Sequence, residues 1–331
     1  MRPFVTFLVL LFVFLIHYTG YGQVQVGSEE VLKIYTAGDI SKSEFERFRK
    51  TTTLFTLQSG DYDDEAEFRK AIEKFWTVTP FRIISPKEVS DFANKPGYSF
   101  CTFGGFMFTK HNYGKGLDHQ YMYFTYDLWM PHDSRPKGDR SLMARIFLFG
   151  DVDAYMNSVV FSYQGKKNFS TSLTQYMYND ALLYNWQPGI LAGYLKEIND
   201  YMISGETKQV YDELKEKAPL KSLAKDTLYI PDYVNIQLNI FTGAEDEKEH
   251  KDEELTEAYK YPVRFVSQEE LNKMILDQSR SIKYLVYAKC STTKWISIYD
   301  SGTGQLLYSE HYSMAYNFRK KDLKKIAKLI R

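Results

Sequence analysis

The segment PFRIISPKEV at residues 80–89 matches the segment PVRFVSQEEL at residues 262–271 without a gap. The proline, the arginine, the serine and one glutamate (Glu88 and Glu270) are identical, and the apolar positions match in character. A short apolar run that follows a proline is typical of a buried strand. The Ser-x-x-Glu that follows is a capping box, in which a hydroxyl and a carboxylate bind free amides at a helix start. Both copies therefore predict a strand followed directly by a capped helix.

The sequence around the two copies extends this internal repeat. Upstream of each copy lie an apolar run and a helical pattern, at 54–57 and 68–75 in the first copy and at 236–241 and 253–259 in the second. Downstream lie three strand-like runs, at 98–108, 120–130 and 143–149 and again at 282–288, 295–299 and 306–312. A closing amphipathic helix follows in each copy, at 191–202 and 323–330.

We therefore predict an α/β (α+β) fold of two tandem, divergent β-α-β-α-β-β-β-α units with mixed sheets. The first unit, with an N-terminal extension, is expected over residues 23–204 and the second over 233–331. Residues 205–232 are expected to form a linker in which 209–216 can make a polar helix. The alternative is a chance similarity between two ordinary α/β segments.

The first 22 residues have the pattern of a signal peptide. Arg2 precedes an apolar run at residues 5–16, and Gly20 and Gly22 occupy the −3 and −1 positions before Gln23. This run is shorter than the roughly 20 apolar residues that cross a bilayer. We expect cleavage before Gln23, export to the periplasm or surface of a bacterial cell, and no stable membrane insertion afterwards. An uncleaved N-terminal anchor is the alternative.

The composition argues against nucleic acid as a partner. Basic and acidic residues balance at 42 each, whereas nucleic-acid-binding proteins usually carry a basic excess. The aromatic content of 16% includes 27 tyrosines, which suit half-buried strands and sugar-stacking surfaces. Within the run 120–130, Tyr121, Tyr123 and Trp129 are candidates for a binding surface. Cross-strand pairs that stabilise a sheet are the alternative.

Cys101 and Cys290 are the two cysteines, and each ends an apolar, strand-like run. In an oxidising compartment two cysteines can form a bridge. Buried free cysteines, however, behave as small hydrophobic residues. We expect two unpaired thiols.

Two groups of side chains are candidate metal ligands. Asp151 and Asp153 follow a strand-like run, where paired carboxylates can bind a divalent cation. His111, His119 and His132 share one stretch with several aspartates, and imidazoles with carboxylates can bind zinc. Neither group has a diagnostic spacing, and polar turns and loops explain both. We therefore predict no metal, no cofactor and no catalytic residue at these positions.

The glycine-rich and basic segments have ordinary structural explanations. Gly302 and Gly304 are followed by a strand-like run, which indicates a hairpin turn, whereas a phosphate-binding loop is followed by a helix. The last predicted helix is rich in lysine and can lie on an anionic membrane. Its apolar stripe matches that of the first closing helix, so we expect it to pack on its own sheet.

The repeated unit resembles the small α/β module at the amino terminus of TolB and in CsgG-like envelope proteins. The resemblance rests on the first helix, the strand at residues 81–84 and the Ser85-x-x-Glu88 helix start, with the same elements in the second copy. It covers most of the chain in topology but only short stretches in sequence. It implies a binding or assembly role at the cell envelope without catalysis, and it carries over no site residues.

These observations predict an exported cell-envelope protein that binds another envelope protein or a glycan. The alternative is a secreted glycan-active or hydrolytic enzyme that uses carboxylates such as Asp151 and Asp153. A concave pocket with carboxylates or histidines from several segments would favour the enzyme. A surface without such clustering would favour the binding protein.

Overall fold

The computed structural model describes residues 23–28, 39–110, 119–132, 140–210, 214–215, 220–238, 245–246, 252–291, 293–313 and 315–330. In this part of the chain, two six-stranded mixed sheets are flanked by helices. All strands of the first sheet precede those of the second sheet in the chain, and helices separate the two sets of strands.

The first sheet is built from β1 to β6. These strands are β1 (Val24–Val26), β2 (Thr52–Phe55), β3 (Phe81–Ile83), β4 (Tyr98–Lys110), β5 (His119–Pro131) and β6 (Arg140–Leu148). Their order across the sheet is β1-β6-β5-β4-β2-β3. Strand β2 is parallel to both of its neighbours, and the remaining pairs are antiparallel.

The second sheet repeats this arrangement. Its strands are β7 (Leu214–Lys215), β8 (Leu228–Pro231), β11 (Val263–Val266), β12 (Lys283–Cys290), β13 (Thr293–Asp300) and β14 (Leu306–Ser313), and a separate ribbon pairs β9 (Gln237–Leu238) with β10 (Glu245–Asp246). The order is β11-β8-β12-β13-β14-β7. Strand β8 is parallel to β11 and β12, and the other pairs are antiparallel.

Helices connect and cover the strands. They are α1 (Lys42–Phe48), α2 (Glu65–Phe75), α3 (Val89–Phe92), α4 (Val152–Ser162), α5 (Lys166–Asn179), α6 (Pro188–Ser204), α7 (Asp252–Thr256), α8 (Gln268–Leu276) and α9 (Lys320–Leu329). Short 3-10 helices occupy Ser59–Asp64, Pro86–Glu88, Lys221–Ala224 and Asp232–Asn235. Within the described ranges, none of the helices has both the length and the apolar character required to cross a membrane.

The same strand order occurs in both sheets, and this confirms the predicted fold class. In each unit one strand begins the sheet, a helix leads to a parallel neighbour, and a second helix leads to a three-stranded antiparallel meander. The shared β-α-β start follows from the repeated strand and helix cap. The first unit differs because α4 and α5 lie between its meander and its closing helix α6.

The first strand of the second unit is not where the apolar pattern placed it. We predicted a strand at 236–241, but the strand that pairs with β11 and β12 is Leu228–Pro231, inside the predicted linker. This strand is buried along its whole length, whereas Gln237–Leu238 is half-buried and forms one side of the small ribbon. The predicted polar helix at 209–216 is wrong at Leu214–Lys215, which is the strand β7, and residues 211–213 and 216 of this prediction lie outside the described residues.

Helix α6 lies between the two units. Twelve of its seventeen residues are buried, and it packs on α2 of the first unit and on α8 of the second. Gly193 permits this close approach, because a Cβ at this position would lie 2.6 Å from the Tyr284 hydroxyl of the second sheet. The closing helix α9 instead packs on its own sheet, as predicted, since Leu323 and Ile326 share a hydrophobic core with β13 and β14.

Both cysteines are buried and free, which confirms the prediction of unpaired thiols. Cys101 lies in β4 and Cys290 in β12, so the two residues belong to different units. The Cys290 thiol donates to the carbonyl of Leu148 at 2.8 Å. Burial raises the pKa of Cys290 to about 12, so the thiol stays protonated at the contact between the units.

Candidate functional site

A crevice of about 790 Å³ lies at the carboxyl ends of the parallel strands β2 and β3. Ligands of open α/β sheets commonly bind at this edge. Four segments form the walls, namely the turn after β2, the turn after β3, the helix α5 and, through Phe161, the helix α4. The lining residues are Ser59, Tyr62, Ser85, Pro86, Lys87, Phe161, Ser172, Thr174, Gln175, Tyr176, Tyr178, Asn179 and Asp180.

Tyr62 holds the ends of the two strands together. Its hydroxyl donates to the carbonyl of Ile84 at 2.6 Å and accepts from the amide of Leu57 at 3.2 Å. Burial raises the pKa of Tyr62 above its ordinary value, so the phenol remains a donor at neutral pH. The turns after β2 and β3 are therefore fixed relative to each other.

Ser85 begins the second wall as a helix cap. Its amide donates to the carboxylate of Glu88 at 2.8 Å, and its hydroxyl accepts from the amide of Lys87 at 3.4 Å. Pro86 occupies the first helical position, where no amide partner is needed. The predicted capping box is thus present, and it shapes the wall that Ser85, Pro86 and Lys87 contribute to the crevice.

Helix α5 forms the third wall with polar side chains at helical spacing. Ser172, Gln175, Tyr176 and Asn179 stand at i, i+3, i+4 and i+7, so they lie on one face. The Asn179 side-chain carbonyl accepts from the Ser59 hydroxyl at 2.7 Å, and its amide group donates to the Gln175 backbone at 2.9 Å. These contacts connect α5 with the turn after β2.

The end of α5 is fixed from beneath by Tyr178 and Gln58. The Tyr178 hydroxyl lies 2.7 Å from the hydroxyl of Thr56, and burial raises its pKa to about 12. The Gln58 side chain donates to the carbonyls of Met177 at 2.7 Å and Ala181 at 2.9 Å. The crevice is therefore preformed by groups that are already hydrogen-bonded.

Charged groups are few along these walls. Among the described lining residues, Asp180 is the single carboxylate and Lys87 the single cation. Asp61 lies inside the wall, where its carboxylate accepts from the Trp186 indole at 2.7 Å, and burial raises its pKa. The described residues contain no cluster of three or more histidine, cysteine or acidic side chains that fits a metal ion. The crevice can thus offer hydroxyls, amides and tyrosine rings to a neutral polar ligand.

The equivalent edge of the second unit is covered. Tyr233 follows β8, and its ring stacks on Tyr184 of the first unit with centroids 5.9 Å apart. Gln268 begins the helix after β11, and its side-chain carbonyl accepts from Gln187 at 3.4 Å. The amide of Gly189 donates to Asn272 one turn further along α8 at 2.8 Å. Residues 184–189 of the first unit therefore cover the edge of the second unit that corresponds to the crevice of the first unit.

A second cleft, of about 510 Å³, lies between α6 and the turn that joins β13 to β14. Its carboxylates, Glu197, Asp200 and Glu206, all come from α6 and the turn after it. Glu197 forms a buried ion pair with Lys208 and accepts from the Tyr299 hydroxyl at 3.0 Å. Asp200 pairs with Lys196. The charges of this cleft are largely neutralised within the fold.

The predicted carboxylate pair lies at the start of a helix. Asp151 is the N-cap of α4, and its carboxylate accepts from the amide of Ala154 at 2.9 Å. Burial raises the pKa of Asp151, while Asp153 is exposed in the first turn. The structure therefore gives Asp151 a capping role. The absence of a metal at this pair stays a prediction.

Of the three candidate histidines, His132 is the one whose side chain lies within the described part of the chain. His111 lies outside the described residues, and the same holds for the side chain of His119. The His132 ring nitrogen lies 3.8 Å from the carboxylate of Glu44, which also accepts from the Ser141 hydroxyl at 2.6 Å.

The aromatic strand forms cross-strand pairs. Tyr123 is 1% exposed and stacks on Phe106 at 5.1 Å, and Trp129 is 4% exposed and stacks on Phe100 at 4.4 Å. Both pairs are directly opposite in the β4–β5 register. Tyr121 is half-buried. Of the three predicted surface residues, Tyr121 therefore keeps the accessible ring surface.

The lining residues of α5 were not among the sequence candidates. The sequence does contain a pattern that points to them, namely a stripe of polar residues at helical spacing at 172, 175, 176 and 179. A polar helix face alone indicates solvent exposure, however, and only the neighbouring strand ends convert it into a wall.

No protein-family model matches this chain, and the searches of curated proteins and of solved structures likewise give no match. The resemblance to the TolB and CsgG-like module stays a prediction.

Proposed function

We propose that this chain is an exported bacterial envelope protein that binds a glycan, without chemical conversion, in the crevice of its first unit. The observation that carries the proposal is the lining of this crevice, in which hydroxyl, amide and tyrosine side chains outnumber charged ones. The signal-peptide pattern at residues 1–22 supports export.

The hydrogen-bonding groups of the walls match the chemistry of a sugar. Each sugar hydroxyl is both a donor and an acceptor, and so are the hydroxyls of Ser59, Ser85 and Ser172. The amide of Gln175 adds a donor pair and an acceptor. Because these groups stand on both sides of one crevice, a ring between them can form hydrogen bonds with more than one wall.

Aromatic groups complete the match. Tyr62, Tyr176 and Phe161 line the crevice and are half-buried, so part of each ring faces the open space. Rings of this kind present an apolar face and, in tyrosine, a polar tip. A sugar has the complementary character, with apolar C–H faces and polar edges.

The carboxylates favour binding over hydrolysis. Most glycoside hydrolases place two carboxyl groups on either side of the scissile bond. The described crevice has one, Asp180. The cleft between the units has three, but they come from a single segment and two of them are in ion pairs. An enzyme remains the alternative function, with that cleft as its site.

The proposal is tested by titrating the purified chain with chitotriose, maltotriose and cellotriose, followed by saturation-transfer NMR and calorimetry. We expect binding of at least one trisaccharide. The double variant Gln175→Ala/Asn179→Ala should weaken it about tenfold or more, since each lost hydrogen bond contributes about 1 kcal/mol. Gln305→Ala, in the other cleft, is the matched control and should bind normally.

Three outcomes would overturn the proposal. They are no binding of any of the three sugars, equal binding by the double variant, and the appearance of new reducing-end signals during the titration. The last outcome would show cleavage of the sugar and would favour the enzyme function over the binding function. Circular dichroism of the double variant separates a lost contact from a lost fold.

A further inference from the structure

The outer face of α4 is apolar and exposed. Met156 is 58% exposed, Val159 46%, Val160 57% and Tyr163, directly after the helix, 86%. The four positions are i, i+3, i+4 and i+7, so they form one stripe. The opposite side of α4 is held in the fold, because Ala154 and Ser158 are buried. Contiguous exposed apolar stripes of this kind mark interaction sites.

We propose that this stripe, formed by Met156, Val159, Val160 and Tyr163, pairs two copies of the chain about a two-fold axis. The stripe is symmetric in sequence about the midpoint between Val159 and Val160. When two such helices cross antiparallel at this point, Met156 of each copy faces Tyr163 of the other. Val159 faces Val160 in the same way. A two-fold interface requires this self-complementarity.

The charge distribution permits the pairing. Residues 154–165, which include the whole stripe, contain no lysine, arginine, aspartate or glutamate, and Asp153 in the first turn is the one charged residue of α4. The whole chain has a formal net charge of zero, and long-range repulsion between copies is therefore small. Helices that lie on membranes usually carry lysine and arginine beside their apolar stripe. The segment 154–165 carries none, and the nearest lysines, Lys166 and Lys167, belong to the next helix, so a second copy fits the stripe better than an anionic membrane does.

The size of the stripe places the dimer among small, reversible interfaces. Four side chains with these exposures present on the order of 500 Å² per copy, and a pair would bury about 1,000 Å² in total, the lower limit for a specific interface. We therefore expect a reversible dimer with a dissociation constant in the micromolar range. Phe161 lines the glycan crevice from the same helix, so the dimer would hold two crevices near one interface.

Sedimentation velocity of the purified chain over a concentration series tests the proposal. The wild type should shift from monomer to dimer, and Val160→Lys should remain monomeric at concentrations at least tenfold higher. Ile203→Lys is the matched control, because Ile203 is also an exposed apolar residue near the end of a helix, at 53% exposure. It should dimerise like the wild type.

A charge-swap pair tests whether Val159 and Val160 form the contact between the two copies. Val159→Lys/Val160→Lys and Val159→Glu/Val160→Glu should each be monomeric, and their mixture should restore the dimer. A wild type that is monomeric at all concentrations, or a mixture that stays monomeric, overturns the proposal. So does wild-type flotation with anionic phosphatidylglycerol vesicles that Val160→Lys abolishes, because the stripe would then be a membrane contact.

Discussion

The two units share a strand order but differ at the edge where ligands usually bind. In the first unit, the carboxyl ends of β2 and β3 open into a crevice with α5 as its third wall. In the second unit, residues 184–189 contact Tyr233 and Gln268 beyond the corresponding strands β8 and β11. One edge is therefore available to a ligand, and the other is part of the contact between the units.

A single insertion accounts for both features. The first unit has α4 and α5 between β6 and its closing helix, whereas the second unit passes from β14 to α9 without a helix in the described residues. Helix α5 provides the crevice wall, and the segment that leads from α5 to α6 covers the second unit. The first unit thus has an open crevice at this edge, and the corresponding edge of the second unit is covered.

The two sheets also bury different polar groups, while a further buried ion pair, Glu197 with Lys208, lies at α6 between the units. The first unit contains an uncharged cluster in which the Thr53 hydroxyl lies 2.6 Å from Thr79 and 2.9 Å from Ser99. The second unit buries an ion pair between Lys294 of β13 and Asp322 of α9, with both side chains almost fully enclosed. Hydroxyls tolerate the loss of one partner better than buried charges do.

We expect the largest effect from Asp322→Ala. The substitution leaves the buried Lys294 ammonium without its carboxylate, and removal of one partner of a buried pair costs about 3–5 kcal/mol. Urea unfolding measures the loss of stability. Thr53→Val in the first unit is the comparison and should cost only about 1–2 kcal/mol.

The double variant Lys294→Met/Asp322→Leu distinguishes this cause from general disruption. Replacing both charges by apolar groups should restore most of the stability. A loss of less than about 1 kcal/mol in Asp322→Ala would contradict the contrast between the units.

A pH-dependent effect is expected at Lys289, where the second unit meets the first. Its ammonium lies 4.9 Å from the centroid of the Phe149 ring, and burial lowers its pKa from 10.5 to about 8. The unfolded chain therefore binds more protons than the folded chain between pH 8 and 10.5, so wild-type stability rises across this window. Lys289→Met should be more stable by roughly 3 kcal/mol at pH 7.

The advantage of Lys289→Met should shrink above pH 8 and disappear near pH 10.5, where lysine is neutral in both states. Thermal unfolding of both proteins across this range measures the difference. A difference that does not vary with pH would show that packing, and not the charge, separates the two proteins.

The smallest effect concerns the two repeated helix caps. The Ser267 hydroxyl accepts from the amide of Glu270 at 3.1 Å, whereas the Ser85 hydroxyl accepts at 3.4 Å and the Glu88 carboxylate makes the shorter contact. Ser267→Ala should therefore cost about 1 kcal/mol and Ser85→Ala less.

The acidic partners should show the reverse order. Glu88→Ala removes the 2.8 Å contact with the Ser85 amide, while Glu270→Ala removes an exposed ion pair with Arg264. Exposed pairs contribute little. Urea unfolding of the four variants measures both series, and equal losses at the two caps would refute the assigned difference.

Several features were readable from the sequence for local reasons. The strand and cap at 80–89 and at 262–271 depend on neighbours within a few residues, namely an apolar run, a hydroxyl and a carboxylate three positions later. The meander strands and the stripe of α9 follow from periodicity. Because these signals act over short distances, the duplicated fold could be predicted without knowledge of any tertiary contact.

The sequence by itself thus determined the fold class, the repeated strand and helix cap, and the meander strands, and tertiary structure decided how each element is used. The run at 228–231 is a strand of the second sheet because it reaches β11 and β12, whereas Gln237–Leu238 pairs in the small ribbon. Tyr123 is a core residue because Phe106 and residues of the second sheet cover its ring. The polar face of α5 became a crevice wall because β2 and β3 end opposite it. Burial and site formation depend on partners distant in the chain, and periodicity carries no information about them.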